Sequence, residues 1–317
     1  MPVKDLAVYD PQQVNYFRRL VRFIAANKSL YIMIIPVLAF YFVFHYMPMY
    51  GVIIAFKDFQ PGRGIWGSDW AGLRNFVDFF SSSHFVRILS NTMIISFTNL
   101  IFGFPAPIIL ALLLNEVANR KFRRAVQTIT YMPHFISLVV VCGIIRQFVS
   151  NNGVITTLLS SAFGIRAVNL LQVPEYFVPI YVTSEIWQTV GWGSIIFFSA
   201  ITSIDSQLYE AAQIDGAGRF RQMLNVTLPG IMPTIVIILI LRLGAIMSVG
   251  FEKIILLYNP AIYSTADVIS SFTYRRGLIE FSWSYSTAVG LFNSVINFFF
   301  VISANWISRK VNDTSLW

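Results

Sequence analysis

The sequence predicts an all-α integral membrane protein with six transmembrane helices and both termini in the cytoplasm. Of its 317 residues, 56% are hydrophobic and only 12% are charged, which is too apolar for a soluble domain of this length. Apolar runs of about 20 residues, long enough to cross a bilayer, recur along the chain. The formal net charge is +8, and its uneven spread over the connecting segments predicts the orientation.

The apolar runs divide the chain into segments of different character. Residues 1–30 mix basic and apolar side chains, which predicts a cytoplasmic amphipathic segment on the inner membrane surface. The other predicted segments are a first transmembrane helix at 31–56, an external loop at 57–89, a core domain at 90–308 and a cytoplasmic tail at 309–317.

The core is predicted to hold the remaining five spans and one polar insert, at 205–230. The five spans lie at about 90–115, 126–145, 179–201, 231–251 and 285–308. Segments assigned to the cytoplasm then contain 13 Lys or Arg in 78 residues, and those assigned outside contain 9 in 99. Because Lys and Arg accumulate in cytoplasmic loops, this asymmetry places the termini and the insert inside the cell.

The polar insert carries strong local signals for two short helices. Asp205 is a typical N-cap, and apolar residues recur on one helical face until Gly216. Gly216 and Gly218 predict a turn at positive φ, where a side chain would be costly. Pro229 and Pro233 lack backbone donors and suit the first turn of the following helix.

One motif in the insert has a fixed spacing: Glu210-Ala211-Ala212, Gly216, Val226 and Leu228-Pro229. It resembles the EAA signature of ABC-importer permeases, with Val where Ile is usual. The resemblance implies that Glu210 makes a polar or ionic contact with an ATPase. It also implies that Ala211, Ala212 and Gly216 permit close docking. Leu228 and Pro229 would fix the insert to the next span.

A second resemblance covers most of the chain. The segments 72–76, 250–278 and 285–298 are similar to carbohydrate-uptake permeases of the LplB-like, polysaccharide-type branch. This implies the type I ABC importer permease fold in a bacterial cell membrane. It also implies a heterodimer with a second related permease, two cytosolic ATPase subunits that bind ATP and magnesium, and an external solute-binding protein that delivers an oligosaccharide. This chain itself would need no cofactor.

The fourth predicted span has a polar and aromatic face. Tyr181, Glu185, Gln188 and Trp192 recur at intervals of four, three and four residues. Since lipid would penalise such a face, it is expected to line a protein interior or a water-filled path. Aromatic faces with hydrogen-bonding neighbours suit sugar rings, and polar contacts between helices are an equal alternative.

The last predicted span adds a row of amide side chains. Asn293 and Asn297 share one broad face of this helix with Ser294 and Asn305. They are expected to hydrogen-bond either to neighbouring helices or to a ligand in the substrate path.

Arg242 falls near the middle of the fifth predicted span. An isolated charge there costs at least about 2.5 kcal/mol, so a partner is required. Counting residues from the outer surface places Glu185 within about one helical turn of its depth. The sequence therefore predicts a buried Glu185–Arg242 ion pair, with a substrate carboxylate as the alternative partner.

Other functions are less consistent with the sequence. A permease for a peptide or amino acid is the rival within transport, and an integral-membrane enzyme is the rival of another class. The chain has no HExxH, G-x-S-x-G or phosphate-loop motif, so ATP hydrolysis is expected on another subunit. Cys142 stands alone in an apolar run and the three His are far apart, so no metal site is expected.

Overall fold

The computed structural model describes residues 23–164 and 167–312, which are mostly helical. Contacts divide the chain into two units, residues 1–53 and residues 54–317, which are described separately. Most of the predicted amphipathic segment at 1–30 and the end of the predicted tail at 309–317 lie outside the described residues.

The longer α-helices are numbered in chain order. They are α1 (Lys28–Tyr41), α2 (Arg74–Ser81), α3 (Phe85–Thr98), α4 (Pro105–Glu116), α5 (Arg120–Tyr131), α6 (Leu138–Phe148), α7 (Val154–Phe163), α8 (Pro174–Thr202), α9 (Ser206–Ile214), α10 (Met232–Gly244), α11 (Phe251–Leu257), α12 (Ile269–Tyr274) and α13 (Trp283–Asn312). Two short strands, β1 (Lys57–Asp58) and β2 (Asp69–Trp70), pair antiparallel.

Shorter helical turns connect these elements. The α-helical turns are Met47–Met49, Gly64–Gly67, Arg219–Gln222, Leu228–Gly230 and Tyr263–Ala266. The 3-10 turns are Tyr50–Phe56, Met132–Phe135, Leu170–Gln172 and Pro260–Ile262. The π-helical turns are Phe42–Tyr46, Asn99–Gly103, Met223–Thr227 and Arg275–Ile279.

Three helical runs in the described chain are long and apolar enough to cross a membrane: Lys28–Phe56, Phe85–Glu116 and Trp283–Lys310. The number rises to five if each of two bent helix pairs is one span. These bends are 100° after Phe135 and 58° after Gly230. Helix α8 has 29 residues and covers the predicted span at 179–201, but it does not meet the same standard of apolarity.

The predicted fifth span, at 231–251, is not one continuous helix. Helix α10 ends at Gly244, residues 245–250 are not helical, and α11 begins at Phe251. Arg242 therefore lies in the last turn of α10 and not in the middle of a long helix. Irregular backbone at membrane depth is tolerated where it lines a cavity and where its polar groups find partners.

Helix α8 organises the second unit. Its buried Phe177, Tyr181 and Val182 belong to one apolar cluster, and its Phe197 and Ile201 belong to another that includes residues of α4. At Gly191 the helix backbone approaches the end of α5 so closely that a Cβ would collide with the Thr130 carbonyl. Glycine is required there because no side chain fits. Helix α8 therefore packs directly against the end of α5.

The insert at 205–230 confirms most of its local predictions. The Asp205 side chain caps α9 by accepting from the Gln207 amide at 3.0 Å, and Gly216 adopts a φ of 74°. Pro229 and Pro233 each occupy the first turn of a helical segment. The prediction for Gly218 was wrong, because this residue has a φ of −68° and is the N-cap of the next turn.

Candidate functional site

The insert exposes apolar side chains that the sequence analysis did not single out. Leu208 is 54% exposed, Ile214 is 87% exposed and Phe220 is 67% exposed, and these three are called the insert patch. Glu210 is exposed within the same segment. Exposed apolar side chains in a polar segment are candidates for contact with another protein, and these three stand among polar residues in the sequence, which was the available signal.

Most of the motif residues are at least partly exposed, and their role in docking stays a prediction. Ala211 is exposed, Ala212 is half-buried and Gly216 has open space around its Cα. Small residues leave a shallow surface that another protein can approach closely. Leu228 is half-buried and Pro229 exposed, at the turn that leads into α10.

Contacts between its two ends hold the insert in one conformation. The Tyr209 and Thr227 hydroxyls lie 3.0 Å apart, and Thr227 is almost fully buried. A Cβ at Gly230 would press on Ile204, which shows how closely the end of the insert lies against its beginning. The two ends of the insert are therefore held together at the point where the chain enters α10.

Two cavities flank α8 and share Glu185 and Gly250. The first, about 250 Å³, is lined on its polar side by Ser96, Asn99, Tyr181, Glu185, Arg242 and Ser248. The second, about 610 Å³, is lined on its polar side by His134, Glu185, Gln188, Thr189, Glu252 and Lys253. The predicted polar face of α8 thus borders cavities, as expected of a face that lipid would penalise.

Trp192 contributes an aromatic surface beside the second cavity. Its ring stacks on His134 with the centroids 4.7 Å apart and an angle of 4° between planes. Phe135 meets the same ring edge-on at 5.6 Å. Because His134 lines the cavity, the four predicted face residues of α8 all reach the two cavities or their aromatic border.

The predicted Glu185–Arg242 ion pair is not formed. The Glu185 carboxylate instead accepts from the Lys253 ammonium at 2.8 Å. Lys253 is only 2% exposed, and its ammonium lies 5.0 Å from the centre of the Tyr181 ring. The prediction counted residues along one continuous helix, which places Arg242 at the depth of Glu185. Because the helix is broken at 245–250, Lys253 of α11 reaches Glu185 instead. Lys253 was recognisable only as a cation at the start of an apolar run.

Arg242 is an exposed cation on the wall of the first cavity. Among the described residues, no carboxylate lies within 4.0 Å of its guanidinium. Its position in the last turn of α10 gains about 0.3–1 kcal/mol from the helix dipole. Because the guanidinium borders the cavity without a carboxylate partner among the described residues, its charge is available to a ligand or to a neighbouring subunit.

Side chains from other helices satisfy the backbone of the broken segment. The Ser96 hydroxyl donates to the Ile246 carbonyl, and the Met247 amide donates to Asn297 Oδ1 at 2.9 Å. The Asn297 amide also donates to the Ser248 hydroxyl at 3.2 Å. Asn297, predicted in the substrate path, therefore supports the cavity wall from behind.

Asn293 differs from Asn297 in its surroundings. Its Oδ1 is buried without a hydrogen-bond partner in the described part of the chain. Neither asparagine is among the residues that line the two cavities. Their place in the substrate path stays a prediction.

A second charged cluster lies between α3 and α13. Asp267 is fully buried and accepts from both terminal nitrogens of Arg275, at 3.2 and 2.7 Å. The Ser271 hydroxyl donates to the same carboxylate at 2.9 Å, and Asn91 donates to the Asp267 carbonyl at 3.0 Å. These residues, with Arg87 at 3.8 Å, are called the Asp267 cluster. The cluster ties the segment before α13 to α3.

The cluster changes the ionisation of nearby groups. Burial opposes the Arg275 charge, but the hydrogen bonds and charge of Asp267 prevail and raise its pKa. Burial lowers the pKa of His84, and the adjacent Arg87 lowers it further. Arg275 therefore keeps its charge, while the neutral form of the His84 imidazole is favoured.

Within residues 23–164 and 167–312, no group of three or more His, Cys, Asp or Glu is arranged to hold a metal ion. The chemistry available at the cavities is therefore that of hydrogen bonds, aromatic surfaces and fixed charges. These are means of binding a polar solute.

Comparisons with known proteins agree with this description. Residues 103–313 match the family described as "Binding-protein-dependent transport system inner membrane component". The chain is 43% identical over 292 residues to "Protein LplB" of Bacillus subtilis (strain 168), which is 92% of each chain. It is 41% identical over 316 residues to "Polygalacturonan/rhamnogalacturonan transport system permease protein YteP" of the same organism, 100% of this chain and 98% of that one.

Solved structures give the same result. A chain in the "Crystal structure of a bacterial ABC transporter involved in the import of the acidic polysaccharide alginate" aligns with a TM-score of 0.85 at 45% identity, over 93% of this chain and 99% of that chain. The resemblance drawn from the EAA spacing is confirmed, and the fold is that of an ABC importer permease. The family match and the relatives above 40% identity place this chain in the family of binding-protein-dependent transport system inner membrane components.

Proposed function

We propose that the chain is a permease subunit of an ATP-binding-cassette importer that carries oligosaccharides or polysaccharide fragments across a bacterial cell membrane. An external solute-binding protein delivers the substrate, and ATP hydrolysis on separate subunits drives alternating access. Support for a saccharide comes from relatives named for polygalacturonan, rhamnogalacturonan and alginate. A further relative in an alginate transporter was solved in complex with a pentasaccharide-bound periplasmic protein.

The exposed insert carries the proposal. An insert held firmly by Thr227 and Gly230, with an unburied apolar patch, is built to engage another protein. That protein is an ATPase subunit, which binds ATP and magnesium, so this chain needs no cofactor. Movement of the two ATPase subunits pulls the insert, and the bend of 58° after Gly230 passes this motion to α10.

The two cavities form this chain's share of the substrate path. Stacked aromatic rings beside hydrogen-bonding groups, as at Trp192, His134 and Gln188, suit the faces and hydroxyls of sugar rings. A second, homologous permease completes the path from the opposite side. Paired subunits around a central path are the usual arrangement when one subunit supplies only half of a cavity wall.

The same family contains transport subunits and not enzymes, which excludes the membrane-enzyme alternative. The alternative of a peptide or amino acid substrate is decided by uptake. Proteoliposomes with the full importer and its binding protein are expected to accumulate an oligosaccharide and to ignore amino acids and short peptides. Uptake of a peptide without a saccharide would overturn the proposed substrate.

The proposal includes six spans with both termini in the cytoplasm. A cysteine probe that cannot cross the membrane should label Cys at Ser264 and not at Ser206, in a Cys142→Ala background. Both serines are exposed, so access depends on the side of the membrane. Ser68 is a poor site because it is 5% exposed and hydrogen-bonds to the Gly64 carbonyl. Labelling at Ser206 and not at Ser264 would reverse the orientation.

Coupling is tested at Glu210. Glu210→Arg reverses the charge and should lower saccharide-stimulated ATP hydrolysis about tenfold, while Glu210→Gln should lose less, because an amide still hydrogen-bonds. Substrate binding to the binding protein serves as the control and should not change. Normal stimulation in Glu210→Arg would remove this residue from the ATPase interface.

A further inference from the structure

Arg242 is the one feature of the first cavity that the protein's own charges do not explain. Glu185 lines the same cavity but holds Lys253 at 2.8 Å, and no carboxylate of the described residues lies within 4.0 Å of Arg242. Glu185 and Arg242 are the charged residues that line this cavity, and Lys253, which lines the second cavity, neutralises Glu185, so the charge of Arg242 is left uncompensated. The cavity is therefore prepared for an anion.

The shape of the guanidinium narrows the chemistry of that anion. Arginine presents a planar fork of donors that matches the two oxygens of a carboxylate, whereas it has no acceptor for a neutral sugar hydroxyl to donate to. A carboxylate is thus the group that gains most from Arg242. A peptide carboxylate would fit the same fork, but it would not need the neighbouring hydroxyl-binding groups.

The surroundings of Arg242 suit a sugar that carries the carboxylate. Asn99 adds an amide to the same cavity. The Ser248 hydroxyl accepts from Asn297 at 3.2 Å, which leaves its own hydrogen free to donate into the cavity. A uronate residue offers both kinds of group within a few ångströms, namely a carboxylate and ring hydroxyls.

The Glu185–Lys253 ion pair keeps Glu185 from interfering with an anion at Arg242. Because Glu185 is held by Lys253, it does not neutralise Arg242 and does not repel an incoming anion. The Tyr181 ring beside Lys253 and the almost complete burial of this lysine keep the pair in place. The Glu185–Lys253 pair thus leaves Arg242 available to bind an anion.

We propose that Arg242 binds a carboxylate of the transported saccharide, so that the permease favours uronate-containing oligosaccharides over neutral ones. This rests on the proposed saccharide import and assigns the charge of its substrate. A relative at 45% identity imports a polysaccharide described as acidic, which is consistent with the assignment.

The test uses the full importer in proteoliposomes with saturating binding protein, and two probes: an oligogalacturonate and a neutral galacto-oligosaccharide. Wild type takes up the oligogalacturonate. Arg242→Gln lowers that uptake about tenfold or more, and Arg242→Lys, which keeps the charge but loses the planar fork of donors, recovers part of it. The rescue by lysine separates a loss of charge from a loss of folding.

Arg146→Gln is the matched control, because Arg146 is also exposed in the last turn of a helix and does not line either cavity. Its uptake stays at the wild-type level. Full uptake in Arg242→Gln, or uptake of the neutral probe alone by wild type, overturns the inference and leaves saccharide import intact. Failure of Arg242→Gln to assemble with the second permease also overturns it, since the counter-charge is then protein. No uptake of either probe by wild type counts against saccharide import itself.

Discussion

Two segments between helices differ in how many of their apolar side chains are buried. In the insert at 205–230, Ile214 is 87% exposed and the other patch residues are also at the surface. In the segment at 258–282, Ile262, Val268 and Phe272 are almost fully buried against the same chain, and the large exposed apolar side chains lie at its end, after residue 277. We proposed another protein as the partner of the first surface, whereas α3 and α13 cover much of the second.

The carboxylates of the two segments also differ in burial. Glu210 is exposed on the insert, whereas Asp267 is fully buried among two arginines and a serine. A buried carboxylate must be paired, and an exposed one is free to meet a partner. Asp267 therefore contributes to the stability of this chain, whereas Glu210 is available for the contact with another subunit that we proposed.

The largest expected effect comes from breaking the Asp267 cluster. Asp267→Ala leaves the largely buried guanidinium of Arg275 without its carboxylate partner. It should lower the free energy of unfolding by about 3–5 kcal/mol. The measurement is unfolding in mixed detergent micelles. Glu280→Ala is the control, because Glu280 pairs with the adjacent Arg276 at the surface, where such a pair contributes about 0.3–0.5 kcal/mol.

Equal losses in the two variants would show that the 258–282 segment is not held by its buried charges. The comparison with the insert would then rest on apolar burial alone.

The Glu185–Lys253 pair should give the next largest effect. Each single change, Glu185→Gln or Lys253→Met, leaves one charge at the cavity wall without its partner. The double variant should be milder than the sum, with a coupling energy of about 2 kcal/mol in a double-mutant cycle. Partial exposure of Glu185 keeps this value below that of the Asp267 cluster. A coupling near zero would mean that water replaces the pair.

The insert was predictable because its signals are local. Helix caps, glycines at positive φ and prolines in first turns depend on only a few neighbouring residues. The predictions for Asp205, Gly216 and Pro233 were therefore confirmed. Gly218 did not, since glycine is also accepted as an N-cap at negative φ.

The charge pairs were not predictable in the same way. Counting depth along the spans assumes a continuous helix, and the break at 245–250 places Lys253 beside Glu185 and leaves Arg242 in the cavity wall. The Asp267 cluster joins residues about 180 positions apart in the chain, and no periodicity records such a contact. The polar face of α8 was predicted because one helix carries all of it.

A smaller effect is expected from the backbone at Gly216. Gly216→Val places a β-branched residue at a φ of 74°, which costs about 1–2 kcal/mol and should weaken ATPase attachment roughly tenfold. Gly216→Asn adds a side chain but tolerates this conformation, and should retain most attachment. Gly62→Val, outside the insert, at a φ that is not positive and with open space around it, is the control. If Asn and Val lose attachment equally, bulk and not conformation is the cause.

The smallest effect on the chain itself is expected at Ile214, and it separates the two segments most sharply. Ile214→Ser should change the free energy of unfolding of this subunit by less than about 0.5 kcal/mol, because the side chain is 87% exposed. Its affinity for the ATPase subunits, measured by equilibrium binding, should nevertheless fall about tenfold, since burial of such a side chain at an interface contributes about 1.5–3 kcal/mol. Leu73→Ser, at a residue that is 64% exposed outside the insert, should change neither quantity. An Ile214→Ser variant that binds the ATPase normally would show that the exposed apolar side chains of the insert face lipid or solvent in the assembled importer.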